Sequence, residues 1–164
     1  MTTSVHKSVV VAGGKATATV TFSGAATADQ TIIIVDAAGT SKTYTAKDAN
    51  SATALQFIKT AAADAATGLK ACIEHANGHN GTITVADDGA GVLTLTQTVA
   101  GPEGNAGNVF GSGTGITETL SNCTVVDFAG GAIAEANDKG TIANGGTISG
   151  SKFQGKSLID TNAG

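Results

Sequence analysis

The stretch that decides the fold is NGTITVADDGAGVLTLTQTVAG, residues 80–101. Two runs within it, 82–87 and 92–98, alternate apolar and polar residues. This is the two-residue period of a half-buried β-strand. The turn DDGAG lies between the two runs, and Asp-Gly between alternating runs is typical of a hairpin. The sequence therefore predicts an antiparallel hairpin here.

Further strands are predicted on both sides of this hairpin. KATATVTFS at 15–23 alternates, and it places Ala16, Ala18, Val20 and Phe22 on one face and threonines on the other. QTIIIVDAAGTSKTYTAK at 30–47 predicts two strands around a turn at 37–40, and the first is central because 32–35 is apolar on both faces. After the hairpin, GITETLSNCTVVDFAGG at 115–131 predicts another strand or pair of strands.

One main helix is predicted over 61–77, where AAADAATGLKACIEHAN places small and apolar residues at helical spacing. Thr60 is the predicted N-cap and Gly78 the predicted residue after the C-terminus. The preceding segment, 47–60, has no clear period. We predict a short strand at 54–58, and the sequence leaves a second helix open.

The pattern fades from about residue 132, where isolated apolar residues stand in polar, glycine-rich sequence. Such a segment buries little by itself, so we expect an extended arm covered by the body or by a neighbouring subunit. Its interface candidates are Ile142, Ile148, Phe153, Leu158 and Ile159. The predicted organisation is an N-terminal arm at 1–14, a body at 15–131 and a C-terminal arm at 132–164. The predicted fold class is α+β: a mainly antiparallel sheet or small β-sandwich with one main helix.

Composition excludes several classes of function. Charged residues make up only 13 % of the chain and the net charge is −4, so nothing would neutralise a run of phosphates in a nucleic acid. No apolar run approaches the roughly 20 residues that span a bilayer. The chain has no Trp and one Tyr, which disfavours aromatic binding platforms. We expect Cys72 and Cys123 to be free, buried thiols of a protein made in the cytoplasm, in preference to a disulfide.

The loop VAGPEGNAGN at 99–108 is the first candidate site, because glycine-rich loops after strands can cradle phosphates. It lacks the Gly-Lys-Ser/Thr ending of a P-loop, and no helix is predicted directly after it. Glu103 would also repel an anion. We therefore interpret the loop as a turn that uses glycines at positive φ.

Other candidate sites are also better explained structurally. His75 and His79 have a metal-ligand spacing on a helix, but Gly78 interrupts it, so solvent-facing histidines near the helix end are expected. Asp87 and Asp88 suit a hairpin turn better than a calcium site, which needs six or more oxygens. No nucleophile elbow is present. The sequence predicts no catalytic residues, no metal and no cofactor.

Residues 15–131 resemble a module found in bacteriophage structural proteins, notably those of marine phages. The resemblance depends on an ordered set of segments: TATVTFSG, QTIIIVDAAGTSKTYTAK, AAADAATGLKACIEHANGHNGTITV, VLTLTQTVAGPEGNAGN and ITETLSNCTVVDFAGG. It implies a virion protein and supplies no catalytic or ligand residues. The arms lie outside it.

The resemblance leads us to expect a capsid decoration or cement protein whose partners are the major capsid protein and copies of itself. The arms would add contact area, and many identical copies would give avidity to weak contacts. The alternatives are a tail protein (tube subunit or fibre-base adaptor), a self-assembling surface filament, and an adhesin module for host glycans. We expect no nucleic-acid or membrane partner, and location in the virion.

Overall fold

The computed structural model describes residues 9–107 and 113–137. Within these ranges the chain forms ten strands and one α-helix, and the predicted α+β fold class with mostly antiparallel sheet is confirmed. The elements are β1 Val9–Val11, β2 Lys15–Phe22, β3 Thr31–Val35, β4 Ser41–Lys47, β5 Gln56–Ile58, α1 Ala62–Ile73, β6 Ile83–Asp87, β7 Val92–Ala100, β8 Gly115–Glu118, β9 Cys123–Ala129 and β10 Glu135–Asn137.

Two four-stranded sheets form the body. The first sheet has the order β6-β7-β2-β9 and the second the order β5-β4-β3-β8. Their ladders are antiparallel except that between β4 and β5. The hairpin predicted within 80–101 is β6–β7, and the predicted central strand is β3, which lies between β4 and β8.

The inner faces of both sheets contribute to one apolar core. The first sheet supplies the predicted face of β2, where every inward side chain from Ala16 to Phe22 is at most 3 % exposed. The second sheet supplies Ile32, Ile34 and the Tyr44 ring. Phe22 meets the ring of Phe57 edge-on, with ring centroids 6.0 Å apart, a geometry that aromatic pairs prefer. The two sheets thus have the arrangement of a small β-sandwich.

Helix α1 packs against β5 and β6, one edge strand from each sheet. Its buried face is rich in small residues, among them Ala65, Ala66 and Gly68. A Cβ at Gly68 would lie 2.3 Å from Asn50 Oδ1 and 3.2 Å from Phe57 Cβ. A Cβ at this position would therefore displace the Asn50 side chain, whose Oδ1 accepts from the Ile58 amide of β5 at 2.7 Å.

The predicted N-cap of the helix is wrong. The N-cap residue is Ala61, and it makes no side-chain capping bond. The Thr60 hydroxyl donates instead to the Asp64 carboxylate, at 3.1 Å. The helix start is supported by this acidic residue in its first turn, since a negative charge is favourable at the positive end of the helix dipole.

The predicted C-terminal boundary is also wrong, since the helix ends at Ile73 and not at 77. Beyond the helix, the His79 amide donates to the Ile73 carbonyl at 2.7 Å and the Gly78 amide to the His75 carbonyl at 2.8 Å. A Cβ at Gly78 would lie 2.2 Å from the Cys72 carbonyl oxygen. Gly78 therefore serves a tight turn after the helix, and this turn directs His79 into the core.

The segment without a clear period contains the predicted short strand. β5 covers Gln56–Ile58, within the predicted 54–58, and it pairs in parallel with β4. A single 3₁₀ turn at Ala52–Ala54 precedes it, followed by Leu55 at a φ of 55°. The open choice between strand and second helix is thereby resolved as a strand.

The outer edge of β6 is covered by a charged pair from the helix. Lys70 Nζ donates to the Val85 carbonyl at 2.8 Å, and Glu74 Oε1 accepts from the Val85 amide at 3.4 Å. Lys70 Nζ and Glu74 Oε1 also form an ion pair, with the two atoms 2.5 Å apart. Both backbone groups of Val85 are thus occupied, which blocks another strand from adding at this point.

On the opposite side of the body, Asp127 connects the two sheets. Its Oδ1 accepts from the Ile116 amide of β8 at 3.0 Å and from the Phe128 amide of β9 at 2.8 Å. These are the edge strands of the second and the first sheet. The core is therefore closed by the helix on one side and by this junction on the other.

A two-stranded ribbon prolongs the first sheet at one end. Among the strands within 9–107 and 113–137, β1 pairs only with β10, placing Val11 opposite Glu135. The pairing continues the register in which Thr17 lies opposite Ala129, and the Gly14 carbonyl accepts from the Ala132 amide at 3.0 Å between the two ladders. We call residues 9–14 with 130–137 the terminal ribbon. The bases of the two predicted arms are thus paired with each other, and 1–8 and 138–164 lie outside the described residues.

Candidate functional site: uncharged sheet faces and a buried polar cluster

The outer face of the first sheet consists mainly of threonine. Strand alternation and cross-strand register place Thr19 beside Thr94 and Val126, and Thr17 beside Thr96. This surface, here called the threonine face, consists of Thr17, Thr19, Thr21, Thr84, Ala86, Val92, Thr94, Thr96, Thr124, Val126 and Ala129. Lys15 borders it at one corner, opposite Ala100. The face presents hydroxyls and methyl groups and carries no charge.

The outer face of the second sheet is also uncharged across its middle. Ile33 and Val35 of β3 point outward and are half-buried, and they pair with Thr43 and Ser41 of β4. Thr117 of β8 lies opposite Ile33 on the other side. The middle of each outer surface therefore lacks the charged residues that usually solvate a sheet, while Lys47 lies at the end of β4 on the second one.

The charges lie at the rims, in the turns and on the helix. Lys47 at the end of β4 pairs with Asp29, and Lys59 Nζ lies 3.2 Å from Asp48 Oδ1. The helix carries the Lys70–Glu74 pair already described. This distribution leaves the two broad sheet surfaces as the parts of the described chain most suited to contact another molecule without desolvating charges.

The exposed large apolar side chains of the described residues concentrate on the first sheet. Val126 lies in the threonine face and is 65 % exposed, and Val99 of β7 is 61 % exposed. Ile133 in the terminal ribbon is 63 % exposed. Val99 precedes Ala100, which lies beside Gly13 of the terminal ribbon. Ile133 follows Ala132, whose amide donates to the Gly14 carbonyl. Alternation along β7 gives Val99 the parity of the inward residues Leu95 and Gln97, so of these three exposed residues Val126 is the one that lies in the threonine face.

A polar cluster is buried under the turn between β3 and β4. Tyr44 is fully buried and His79 is 2 % exposed. His79 Nε2 lies 3.0 Å from the Thr40 carbonyl, which can only accept, so Nε2 carries the proton. Nδ1 therefore accepts from the Tyr44 hydroxyl, at 2.7 Å. The prediction that His79 faces solvent is wrong, because the turn after the helix places it against β4.

Burial determines the protonation of this cluster. It lowers the pKa of His79 and raises that of Tyr44 above its usual range, so the imidazole and the phenol are both neutral. Burial also raises the pKa of the neighbouring Cys72 thiol to about 11, and its sulfur donates to the Gln56 carbonyl. A neutral thiol at this pKa is a poor nucleophile.

Asp36 and Gln97 shape the same turn. Asp36 Oδ1 accepts from the Ala38 amide at 3.0 Å and from the Thr40 amide at 2.8 Å. Gln97 Oε1 accepts from the Ala37 amide at 3.1 Å. The predicted turn at 37–40 is confirmed, with Gly39 at a φ of 80°. These side chains fix the turn by satisfying its backbone amides.

The loop at 99–107 closes the sheet, as predicted. Gly101 and Gly107 have positive φ, at 149° and 67°. Asn105 exchanges two hydrogen bonds with the backbone of Gly131, at 2.9 and 2.7 Å, and the Ala106 amide donates to the Phe128 carbonyl at 2.8 Å. These hydrogen bonds thus join the loop to Phe128 of β9 and to Gly131 at the start of the terminal ribbon.

The predicted hairpin turn at 87–91 uses its two aspartates for backbone bonds. Asp88 Oδ1 accepts from the amides of Ala90 and Val92, and these amides lower its pKa. Asp87 accepts from the Gly89 amide and from the Thr67 hydroxyl of the helix. No three His, Cys, Asp or Glu residues form a metal-binding group within 9–107 and 113–137.

The remaining sequence predictions have mixed outcomes. Cys72 and Cys123 are free thiols as expected, but only Cys72 is fully buried and Cys123 is half-buried. The interface candidates lie outside the described residues; these are Ile142, Ile148, Phe153, Leu158 and Ile159. Sequence reasoning missed the Tyr44–His79 pair and the ribbon pairing, while the alternation of 15–23 did indicate a hydroxyl face.

Comparisons with known proteins identify no relative. No protein-family model, curated protein or solved structure matches this chain. Among the described residues, no helix has both the length and the apolar composition needed to cross a membrane.

Proposed function

We propose that this protein is a structural subunit of a bacteriophage virion, and that it decorates the capsid shell. The observation that carries the structural role is the pair of uncharged outer sheet faces, with Val126 exposed in one and Ile33 half-buried in the other. Surfaces of this kind are suited to permanent contact, because covering them costs little charge desolvation.

The low overall charge supports the same role. Charged residues are 13 % of the chain, against about 25 % in typical soluble domains. Buried polar atoms of Asp36, Gln97 and His79 bind the backbone of the turn between β3 and β4, while Asp36 Oδ2 and Gln97 Nε2 are buried there without a partner. The bonds of these side chains to turn backbone support a structural role for the cluster.

The assignment to a virion depends on the resemblance of residues 15–131 to modules of phage structural proteins. The shell is the location we favour, since a small, weakly charged body with the terminal ribbon at one end can lie over a lattice and contact adjoining subunits. The proposed partners are the major capsid protein and other copies of this chain, and the site of action is the virion.

Binding to shells tests this proposal. Shells of the encoding phage that lack this protein are incubated with the purified full chain and sedimented. We expect saturable binding in a fixed ratio to the major capsid protein. Binding to tails, or growth of tubes by the protein alone, would favour a tail component. Binding to host envelope without binding to shells would favour an adhesin.

A further inference from the structure

We propose that the threonine face is the docking site for the C-terminal segment 138–164 of a second copy of this chain. The inference rests on the proposed structural role and names the contact through which copies join. Three features of the chain carry it: the extent of the face, the course of the terminal ribbon, and the composition of the segment that follows the ribbon.

The face is suited to a narrow occupant. It spans four strands at about 4.8 Å spacing and five residues at about 3.3 Å rise, roughly 19 by 17 Å. Two such faces packed together would bury far less than the roughly 800 Å² per partner found in stable interfaces. An extended segment, in contrast, needs only a strip of such a face, and the exposed Val126 lies within it.

The terminal ribbon carries the described chain beyond the threonine face before this segment begins. β10 continues the course of β9 in the same register, and of the described strands it pairs with β1 alone. Asn137 lies opposite Val9, which is about 20 Å of extended chain beyond Lys15. To reach its own face, the segment would reverse direction at the ribbon tip and retrace that distance. The segment can contact the threonine face of a neighbouring copy without reversing its direction.

The segment has the length and chemistry for this contact. After Asn137 the sequence continues for 27 residues, a reach of about 90 Å when extended. Its apolar residues are separated by Gly, Ser, Thr and Asn, and its few charges nearly balance. Such a segment can place Ile148, Phe153 or Leu158 against Val126 while its polar groups meet the threonine hydroxyls.

Donation of this segment from copy to copy is a heterologous contact, in which the donating and receiving surfaces differ. Such contacts form rings when the rotation between copies closes, and open chains when it does not. A closed ring is the form compatible with a decoration protein that stays soluble before it meets the shell.

Complementation between two full-length variants tests the proposal. Val126→Lys places a charge in the threonine face and leaves the segment intact. The double variant Phe153→Lys/Leu158→Lys alters the segment and leaves the face intact. Thr43→Lys, on the outer face of the second sheet, is the matched control, since Thr43 is also an exposed strand residue. Circular dichroism of each variant confirms the fold, and sedimentation velocity gives the mass.

We expect the wild type and Thr43→Lys to form oligomers, and the two altered proteins to be monomers when separate. Mixing them should double the mass to a dimer, because one intact segment meets one intact face. A mixture that stays monomeric, a monomeric wild type, or unchanged oligomers of Val126→Lys would overturn the inference. The mixing experiment needs no phage component, so its failure leaves the shell proposal intact. If mixing gives dimers but the protein does not bind shells, only the proposed decoration of the shell is contradicted.

Discussion

The hydrogen bond between Tyr44 and His79 gives a quantitative test of the buried cluster. Tyr44→Phe removes the hydroxyl that donates to His79 Nδ1 at 2.7 Å, in a site where both side chains are at most 2 % exposed. A buried acceptor without its donor costs about 1–3 kcal/mol. We therefore expect Tyr44→Phe to lower the free energy of unfolding by about 2 kcal/mol.

Urea unfolding followed by circular dichroism measures this loss. With a slope of about 2 kcal/mol per molar urea, the midpoint should fall by about 1 M. Thr43→Val is the control, because Thr43 precedes Tyr44 in the same strand but faces outward, where substitutions change stability by less than about 0.5 kcal/mol. A Tyr44→Phe midpoint equal to that of the wild type would refute the claim that this bond is buried and formed.

Three further predictions concern pH, thiol reactivity and packing. Burial lowers the pKa of His79 below the value of about 6.5 in the unfolded chain, so the unfolded state binds the additional proton. Stability should be fully present above about pH 6.5 and fall below it, with a slope approaching 1.4 kcal/mol per pH unit. Urea midpoints between pH 7 and 5.5 measure this loss of stability. The control variant His75→Gln should show the same dependence of stability on pH. A stability that does not change over this pH range would contradict the burial of His79. Burial raises the pKa values of Cys72 and Cys123 to about 11. Both thiols should therefore react slowly with Ellman's reagent at pH 8 and rapidly in guanidinium. One equivalent of thiol that reacts rapidly in the native protein would contradict this prediction. Gly68→Ala should lower the melting temperature, because the added Cβ would meet Asn50. This contact should outweigh the helix propensity of Ala, which is better by roughly 1 kcal/mol. An unchanged or higher melting temperature would show that the helix can shift.

Local patterns in the sequence predicted most of the strands. The alternation at 82–87 and 92–98 identified the β6–β7 hairpin, and the apolar run at 32–35 identified the central position of β3. Both patterns express a simple preference, since each side chain is directed toward the core or toward solvent by its position in the strand.

The errors arose where distant contacts override local preference. The sequence between 61 and 77 is compatible with a longer helix, but the burial of His79 against Tyr44 requires the chain to turn after Ile73. Exposure of His79 was predicted from its distance to the helix end, and no local pattern indicates a partner 35 residues earlier in the chain.

The candidate surface could be predicted only in part. The threonines of 15–23 indicate one hydroxyl-bearing strand, but a continuous uncharged face requires the order β6-β7-β2-β9, which brings β9 beside β2. The terminal ribbon pairs residues near the two ends of the chain, and short strands without turn residues between them give no local signal of such pairing.

The copy number and position of this protein in purified phage particles test the central claim most directly. Quantitative mass spectrometry, with cryo-electron microscopy of the same particles, measures both. A decoration protein should be present in a fixed ratio to the major capsid protein, with density on the outer surface of the shell. A few copies per particle located at the tail, or absence from the particle, would contradict the account.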